Sequence, residues 1–433
     1  MTFTIFIRPF INMRNFARTI LKSESLTGTV LVTAALLANS FFSYLLQVFL
    51  ARHFSVADFG TYNALLSFFA IMGVPIMVLS SSLVKVISDL SGRQERSILT
   101  QLFWKSMLFL FLSGIAIIFI LILLKDILSD YMNIGDSALY LYLGVYIAGS
   151  LLSVGPQAFM QGLMRFKAFS LYVANMGVIR LIIPSVVVLL GYGVGGVYLG
   201  LGLSMLICTL IGFLIMKKNL VDLEKKDLTE EYKKIISFTM PLLILNLGMM
   251  SLNNIDVILV KKYFDAMTAG YYAGVVILGK IILFGAGSIT IVMFPQISSL
   301  VSAKKSYLKK FWFFLWLQLT ALAVGILAFS LAPNLIAKIF FGQQLLVSAQ
   351  YLPLFSIFIS MHVLINFILM FFIAINKTKA SLVLVPAVLA QFVLISAWHS
   401  SIFSVITINI AITLIILASL TFYLYKITNS SAR

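Results

Sequence analysis

The sequence predicts an all-α polytopic membrane protein of about twelve transmembrane helices in two six-helix bundles, and three observations carry that expectation. Of 433 residues, 61% are hydrophobic and only 10% charged, whereas soluble domains are nearer half apolar and a quarter charged. The apolar residues run in long unbroken blocks, not in the short alternating segments of a β-barrel. The 31 Lys and Arg residues, set against 14 Asp and Glu, gather on alternate loops between those blocks.

A helix crosses roughly 30 Å of hydrocarbon with about 20 apolar residues. Strands are excluded because an open sheet in lipid would leave backbone N–H and C=O groups unpaired. Span one, 28–50, follows a cationic N-terminal stretch and stops before Arg52; span two, 61–84, stops at Lys85. Span three, 106–124, lies between Lys105 and Lys125, and span four, 138–162, ends before Arg165. Span five, 169–190, starts after Lys167, and span six, 194–216, ends at Lys217. The stretch Lys217–Lys234 mixes acids and bases and reads as a solvated linker. Beyond it come spans at 235–260, before Lys261 and Lys262, and at 271–295, before the Lys304–Lys310 cluster. The last four are 311–332, 348–375, 380–398 and 402–425, with only His399–Ser401 separating the final pair.

With the N-terminus inside, 24 of the 31 cations fall on inside segments, five outside, and Arg180 and Lys280 within spans. That bias predicts both termini in the cytoplasm of a cell-membrane protein. The domain order expected is a cytoplasmic or interfacial segment at 1–27, a bundle at 28–216, the linker 217–234, a second bundle at 235–425 and a tail at 426–433. The basic excess is therefore topogenic; anionic membrane lipids are its expected partner and nucleic acid is not. Residues 1–22 read as an anchor for the first helix, an interfacial amphipathic helix, or a stretch upstream of an alternative start at Met13. A cleaved signal peptide is not expected, since no small-residue cleavage motif follows a compact apolar core.

Several chemistries find no support. The single Cys208 builds no disulfide framework, and His53, His362 and His399 are too scattered for ligand spacing. Gly191-Tyr192-Gly193-Val194-Gly195-Gly196 matches a dinucleotide fingerprint but follows no strand, so close packing through Gly196 and Gly200 is expected instead. No phosphate-loop motif, nucleophile–base pair or paired carboxylate is visible. A transporter, not an enzyme, is expected, with no cofactor beyond Na⁺ or H⁺ as a coupling ion.

The halves echo one another. Phe54, Gly60 and Tyr62 recur as Phe264, Gly270 and Tyr272, 210 residues on, and Arg52 meets Lys262. Six spans is an even number, so both halves enter the membrane in the same sense. Parallel repeats of this kind are related by an axis along the membrane normal, with a transport path between them.

The segment Phe49-Leu50-Ala51-Arg52-His53-Phe54-Ser55-Val56-Ala57-Asp58-Phe59-Gly60-Thr61-Tyr62 resembles the turn after helix one of polysaccharide repeat-unit flippases. Phe238-Thr239-Met240-Pro241, Ala269-Gly270-Tyr271-Tyr272 and Phe294-Pro295-Gln296-Ile297-Ser298 look like that family's later signatures. These Wzx-type oligosaccharidyl-lipid transporters belong to the multidrug/oligosaccharidyl-lipid/polysaccharide exporter superfamily. The resemblance implies a MATE-like fold, export of a lipid-linked oligosaccharide for a surface polysaccharide such as O-antigen, and other polysaccharide assembly proteins as partners. Asp89-Leu90-Ser91-Gly92-Arg93 is similar to a loop of major-facilitator carriers, the rival fold. It has no upstream glycine and no second copy.

A charge at the bilayer centre costs about 2.5–3.5 kcal/mol on insertion scales, so embedded ones mark function. Arg180 and Lys280, one in each half, are expected to face a shared wet cavity and attract an anionic headgroup. For Arg180 the alternative is a snorkelling or interhelical charge. Asn39, Ser43 and Gln47 share one face of span one at steps of four, and Asn246, Asn253 and Asp256 share one face of span seven. Both faces are expected to line the cavity, the alternative being polar glue between helices. Asp256, with Asn253, is the candidate for ion coupling, or else a counter-ion to Lys261 or Lys262.

Overall fold

The computed structural model describes residues 24–217 and 228–430, and within them every regular element is helical. The first half contains α1 (Glu24–His53), α2 (Val56–Met72), α3 (Val74–Gly92), α4 (Arg96–Tyr131), α5 (Leu139–Gly162), α6 (Phe166–Leu189) and α7 (Val194–Lys217). The second contains α8 (Thr229–Leu252), α9 (Ile255–Tyr263), α10 (Ala266–Ser302), α11 (Leu308–Leu331), α12 (Pro333–Phe341), α13 (Leu352–Ala374), α14 (Leu384–Ala397) and α15 (Ile402–Ser430). Short 3₁₀ turns at Leu346–Tyr351 and Thr378–Val383 lead into α13 and α14. Eleven helices are individually long and apolar enough to cross a membrane, and the bent pair α8–α9 supplies a twelfth crossing. Each run read from the sequence lies on one of these crossings. Of the expected linker, 229–234 belong to α8 and 218–227 lie outside the described residues, as does the N-terminal stretch 1–22.

The interruptions have local causes. Gly73 followed by Pro75 separates α2 from α3, so the second span is one kinked rod. Asn253 and Asn254 break span seven, where α8 and α9 meet at 40°. Wide apolar faces point outward elsewhere: Phe109, Phe119 and Leu123 on α4 are each 60% or more exposed, as a helix bathed in lipid requires.

The 210-residue repeat extends through the architecture. The rod α2–α3 covers 56–92, and α10 covers 266–302, the same bounds shifted by 210. Likewise α1 and α9 end at His53 and Tyr263, and α4 and α12 end at Tyr131 and Phe341. Even the turns match. Ser55 caps α2 through the Asp58 N–H, and its mate Asp265 caps α10 through the Met267 and Thr268 N–H groups. After the rod and after α10 the chain reverses through left-handed Gln94 and Lys304 (φ 59° and 54°). Glu95 N then reaches Leu90 O, and Lys305 N reaches Leu300 O.

The halves meet chiefly through α2 against α10 and α9, and through α3 against α8. On the first of these seams a Cβ on Gly60 would sit 2.8 Å from the Gly270 nitrogen, and one on Gly270 would run into the Val56 carbonyl oxygen. The signature glycines are repeat mates, so their contact marks the pseudo-twofold axis. One apolar core runs through the first half and crosses this seam to Tyr272, Phe341 and Phe355; a second is confined to the other half, around Leu245, Met293, Phe311 and Ile416. The molecule is thus knitted together at the end bearing the α1–α2 and α9–α10 turns, here the turn end.

Gly270→Ala is expected to lower the thermal midpoint of the purified protein, since overpacking a close contact costs about 1–3 kcal/mol. Gly285→Ala, on the same helix with open space around it, should leave the midpoint unchanged or raise it. Thermal unfolding in detergent, read by tryptophan fluorescence, compares the two.

Candidate functional site

Between the halves, at mid-depth, lies a cavity of 230 Å³. Helix α1 turns Asn39, Ser40, Ser43 and Gln47 toward it, α2 contributes Tyr62 and Leu66, α6 contributes Arg180, and α10 contributes Ile277, Lys280 and Phe284. Five residues singled out in the sequence, Asn39, Ser43, Gln47, Arg180 and Lys280, are therefore brought together from three helices. Arg180 Nη2 donates to the Tyr146 hydroxyl at 3.2 Å, and the Tyr146 ring is packed 4.4 Å from Phe69. That fixes the guanidinium on the cavity wall while its Nε stays without a partner. Lys280 makes no hydrogen bond or ion pair among the described residues. Asn39 Oδ1, Tyr44 OH and Gln47 Oε1 are buried and unpartnered as well. A wall with two cations, unused hydrogen-bonding groups and no carboxylate is built to hold water or an anionic, hydroxyl-rich ligand.

A larger cavity of 640 Å³ adjoins the first and shares Ser40 and Phe284 with it. It runs from mid-depth toward the end opposite the turn end, here the basic end, where α3 and α10 finish beside Arg93 and Lys304. It lies between Thr33, Leu36 and Leu37 of α1 and Leu283, Gly287, Ile291 and Phe294 of α10. Its remaining walls come from α8 and α13, including Asn246 and Asn366. Helices α1 and α10 barely touch, so the cleft separates them. The two cavities form one amphipathic passage: a cationic polar head and a long apolar arm.

Span seven departs from the sequence reading. The break at Asn253–Asn254 ends the common helical azimuth, so Asn246, Asn253 and Asp256 do not share a face. Asn246 lines the apolar cleft, and Asn253 is buried beside the break and lines neither cavity. Asp256, 1% exposed, turns into the second half, away from any ion pair with Lys261 or Lys262. Its carboxylate accepts from the Tyr272 hydroxyl, from Asn409 Nδ2 at 2.9 Å and from the Val257 N–H at 2.9 Å. Gln391 Nε2 donates to Asn409 Oδ1 (2.9 Å) and to the last α8 carbonyl, Leu252 O (3.1 Å), leaving Gln391 Oε1 unpartnered. A buried carboxylate ringed by neutral donors is stable only because every one of them is aimed at it.

Sequence reading missed Tyr62 and Ser40 in the polar cavity, Tyr146 as the support of Arg180, and Tyr272, Gln391 and Asn409 around Asp256. The signature tyrosines could have signalled it. Tyr62 and Tyr272 are repeat mates, yet the first faces the cavity and the second holds the carboxylate.

The profile of the polysaccharide biosynthesis protein family matches residues 25–301, well over half of the chain. The chain belongs to that family. No curated protein sequence matches it. In fold it is similar to the lipid II flippase MurJ in an inward closed conformation, with a TM-score of 0.68 at 14% identity over 92% of this chain and 87% of that one. It is also similar to the eukaryotic MATE transporter AtDTX14 (TM-score 0.65, 15% identity, 92% and 96% covered). An inward-facing multidrug resistance MATE family transporter gives a TM-score of 0.63 at 15% identity, with 91% and 96% covered. These likenesses show a fold like that of MATE transporters and MurJ, not the major-facilitator one.

Asn409→Leu should destabilise the protein by about 1–3 kcal/mol, because it strips a donor from Asp256 and an acceptor from Gln391. Tyr272→Phe should act in the same sense. Ser419→Ala on the exposed face of α15 should not, and thermal midpoints in detergent distinguish them.

Proposed function

We propose that this polysaccharide biosynthesis protein is a flippase that carries a polyprenyl-diphosphate-linked oligosaccharide from the cytoplasmic to the outer leaflet by alternating access. The observation that carries the reading is the passage itself. Arg180 and Lys280 offset the charge of a diphosphate where carboxylates are absent, and the adjoining cleft between α1 and α10 is apolar enough for an isoprenoid tail. Asn39, Ser43 and Gln47 would replace water around the sugars. With both termini cytoplasmic, as the cation bias predicts, the cleft faces the cytoplasm and the knitted turn end closes the outer side. Family membership and the fold shared with a lipid II flippase support the same reading. A multidrug exporter for cationic drugs would need carboxylates where this passage presents cations.

Coupling is assigned in this reading to Asp256, where a proton or Na⁺ would compete with the Tyr272 and Asn409 donors for the carboxylate. Release of those donors would loosen α9 from α10 and α15, which is how a local charge change reaches the helices that border the passage.

The test is export in cells whose own copy has been deleted. Arg180→Ala and Lys280→Ala are each expected to abolish surface polysaccharide while the protein still inserts and folds, and Lys280→Arg to retain part of it. Normal polysaccharide in both alanine variants sinks the reading. Asp256→Asn is expected to make transport in proteoliposomes insensitive to an imposed pH or Na⁺ gradient, and the gradient whose effect disappears names the ion.

A further inference from the structure

The turn end of the seam is built with a regularity that the cavity does not explain. Arg52, at the last turn of α1, crosses to the other half and donates through Nε to Phe340 O (3.1 Å) and through Nη2 to Ile339 O (2.5 Å). Those carbonyls close α12, so the guanidinium sits on a helix C-terminus, where a cation is favoured. Lys262 is the repeat mate of Arg52 and makes the mirror-image crossing. Its ammonium lies 4.0 Å from the ring centroid of Tyr131, the last residue of α4, and its carbonyl accepts from Asn133 Nδ2 at 2.6 Å. Tyr131 is itself the repeat mate of Phe341, which stacks edge-on against Phe59 of the first half. Each half therefore grips the end of the other's third span, with the Gly60–Gly270 contact between the two grips.

We propose that Arg52 and Lys262 are the two arms of a reciprocal latch that holds the turn end shut while the passage is open at the basic end. Both arms must release before the cavity can open on the turn side. Neither Arg52 nor Lys262 lines the cavity, so the pair are positioning residues that set the balance between the two states and do not bind cargo. Repeat symmetry explains the pairing: a motion that parts the halves about the pseudo-axis strains both arms together. The charge-assisted pair of hydrogen bonds at Arg52 and the cation–π contact at Lys262 are each large enough to shift such a balance about tenfold. The inference requires only that the halves move against each other; it holds whatever the cargo is.

Cysteine labelling tests it without a transport assay. In a Cys208→Ala background, Leu66→Cys reports from the polar cavity and Leu37→Cys from the apolar cleft. A charged, membrane-impermeant maleimide is added from either face of membrane vesicles. Arg52→Ala and Lys262→Ala should each raise turn-side labelling at position 66 about tenfold and lower basic-side labelling at position 37. Arg52→Lys, which keeps the charge but cannot span two carbonyls, should give a smaller rise, and Lys125→Ala none. Should Arg52→Ala fail to fold, Arg52→Lys and Lys262→Gln carry the same comparison. Hydrogen exchange at the amides of Lys338–Gly342 should quicken in the Arg52 variants. Unchanged labelling at both reporters in folded variants overturns the latch. The flippase reading stands or falls separately, on Arg180 and Lys280.

Discussion

Where Gly60 of α2 meets Gly270 of α10, two helices from different halves approach so closely that no side chain fits between their backbones. That contact locates the pseudo-twofold axis, and the rest of the architecture is arranged about it. Phe59 and Phe341 pack beside it, Arg52 and Lys262 cross it in opposite directions, and the shared core gathers around it. Away from this end α1 and α10 diverge, and the divergence is the passage. The seam is thus tight at one end and parted at the other.

Symmetry holds for the scaffold and fails for the chemistry. Arg180 has Ala390 at the matching position of the other half, Lys280 has Ala70, and Asp256 has Leu46. Each embedded charge occurs once, although helix bounds, caps and reversing turns recur at an offset of 210. The physical reason is cost. A charge in hydrocarbon is tolerated only where water or aimed donors replace its hydration, and one polar cavity and one donor cluster suffice. The two cations therefore converge on a single pocket, and the carboxylate, which does not line it, is held by Tyr272 and Asn409.

Much of the candidate site was legible because it depends on helical arithmetic. Asn39, Ser43 and Gln47 lie four residues apart on an unbroken stretch of α1, so their common face survives folding. The same arithmetic misled in span seven. Asn253 and Asn254 stop the helix there, and Asp256, one short turn later, points to Tyr272 on the next helix and to Asn409, 153 residues away in sequence. Tyr146 was invisible as the support of Arg180 because aromatic residues abound in any membrane helix, and nothing local distinguishes the one that meets a guanidinium.

Sequence alone determined that the chain is a series of about twelve apolar helices long enough to cross a membrane, and that its two halves repeat at an offset of 210. Those properties follow from the cost of exposing backbone polar groups to lipid and from short-range turn chemistry, both of which act within a few residues. Tertiary structure decided which copy of the signature tyrosine faces the cavity, which carbonyls Arg52 reaches, and how far α1 stands from α10. Those depend on how whole helices pack across an axis, and packing is a long-range balance of shape that no local pattern encodes.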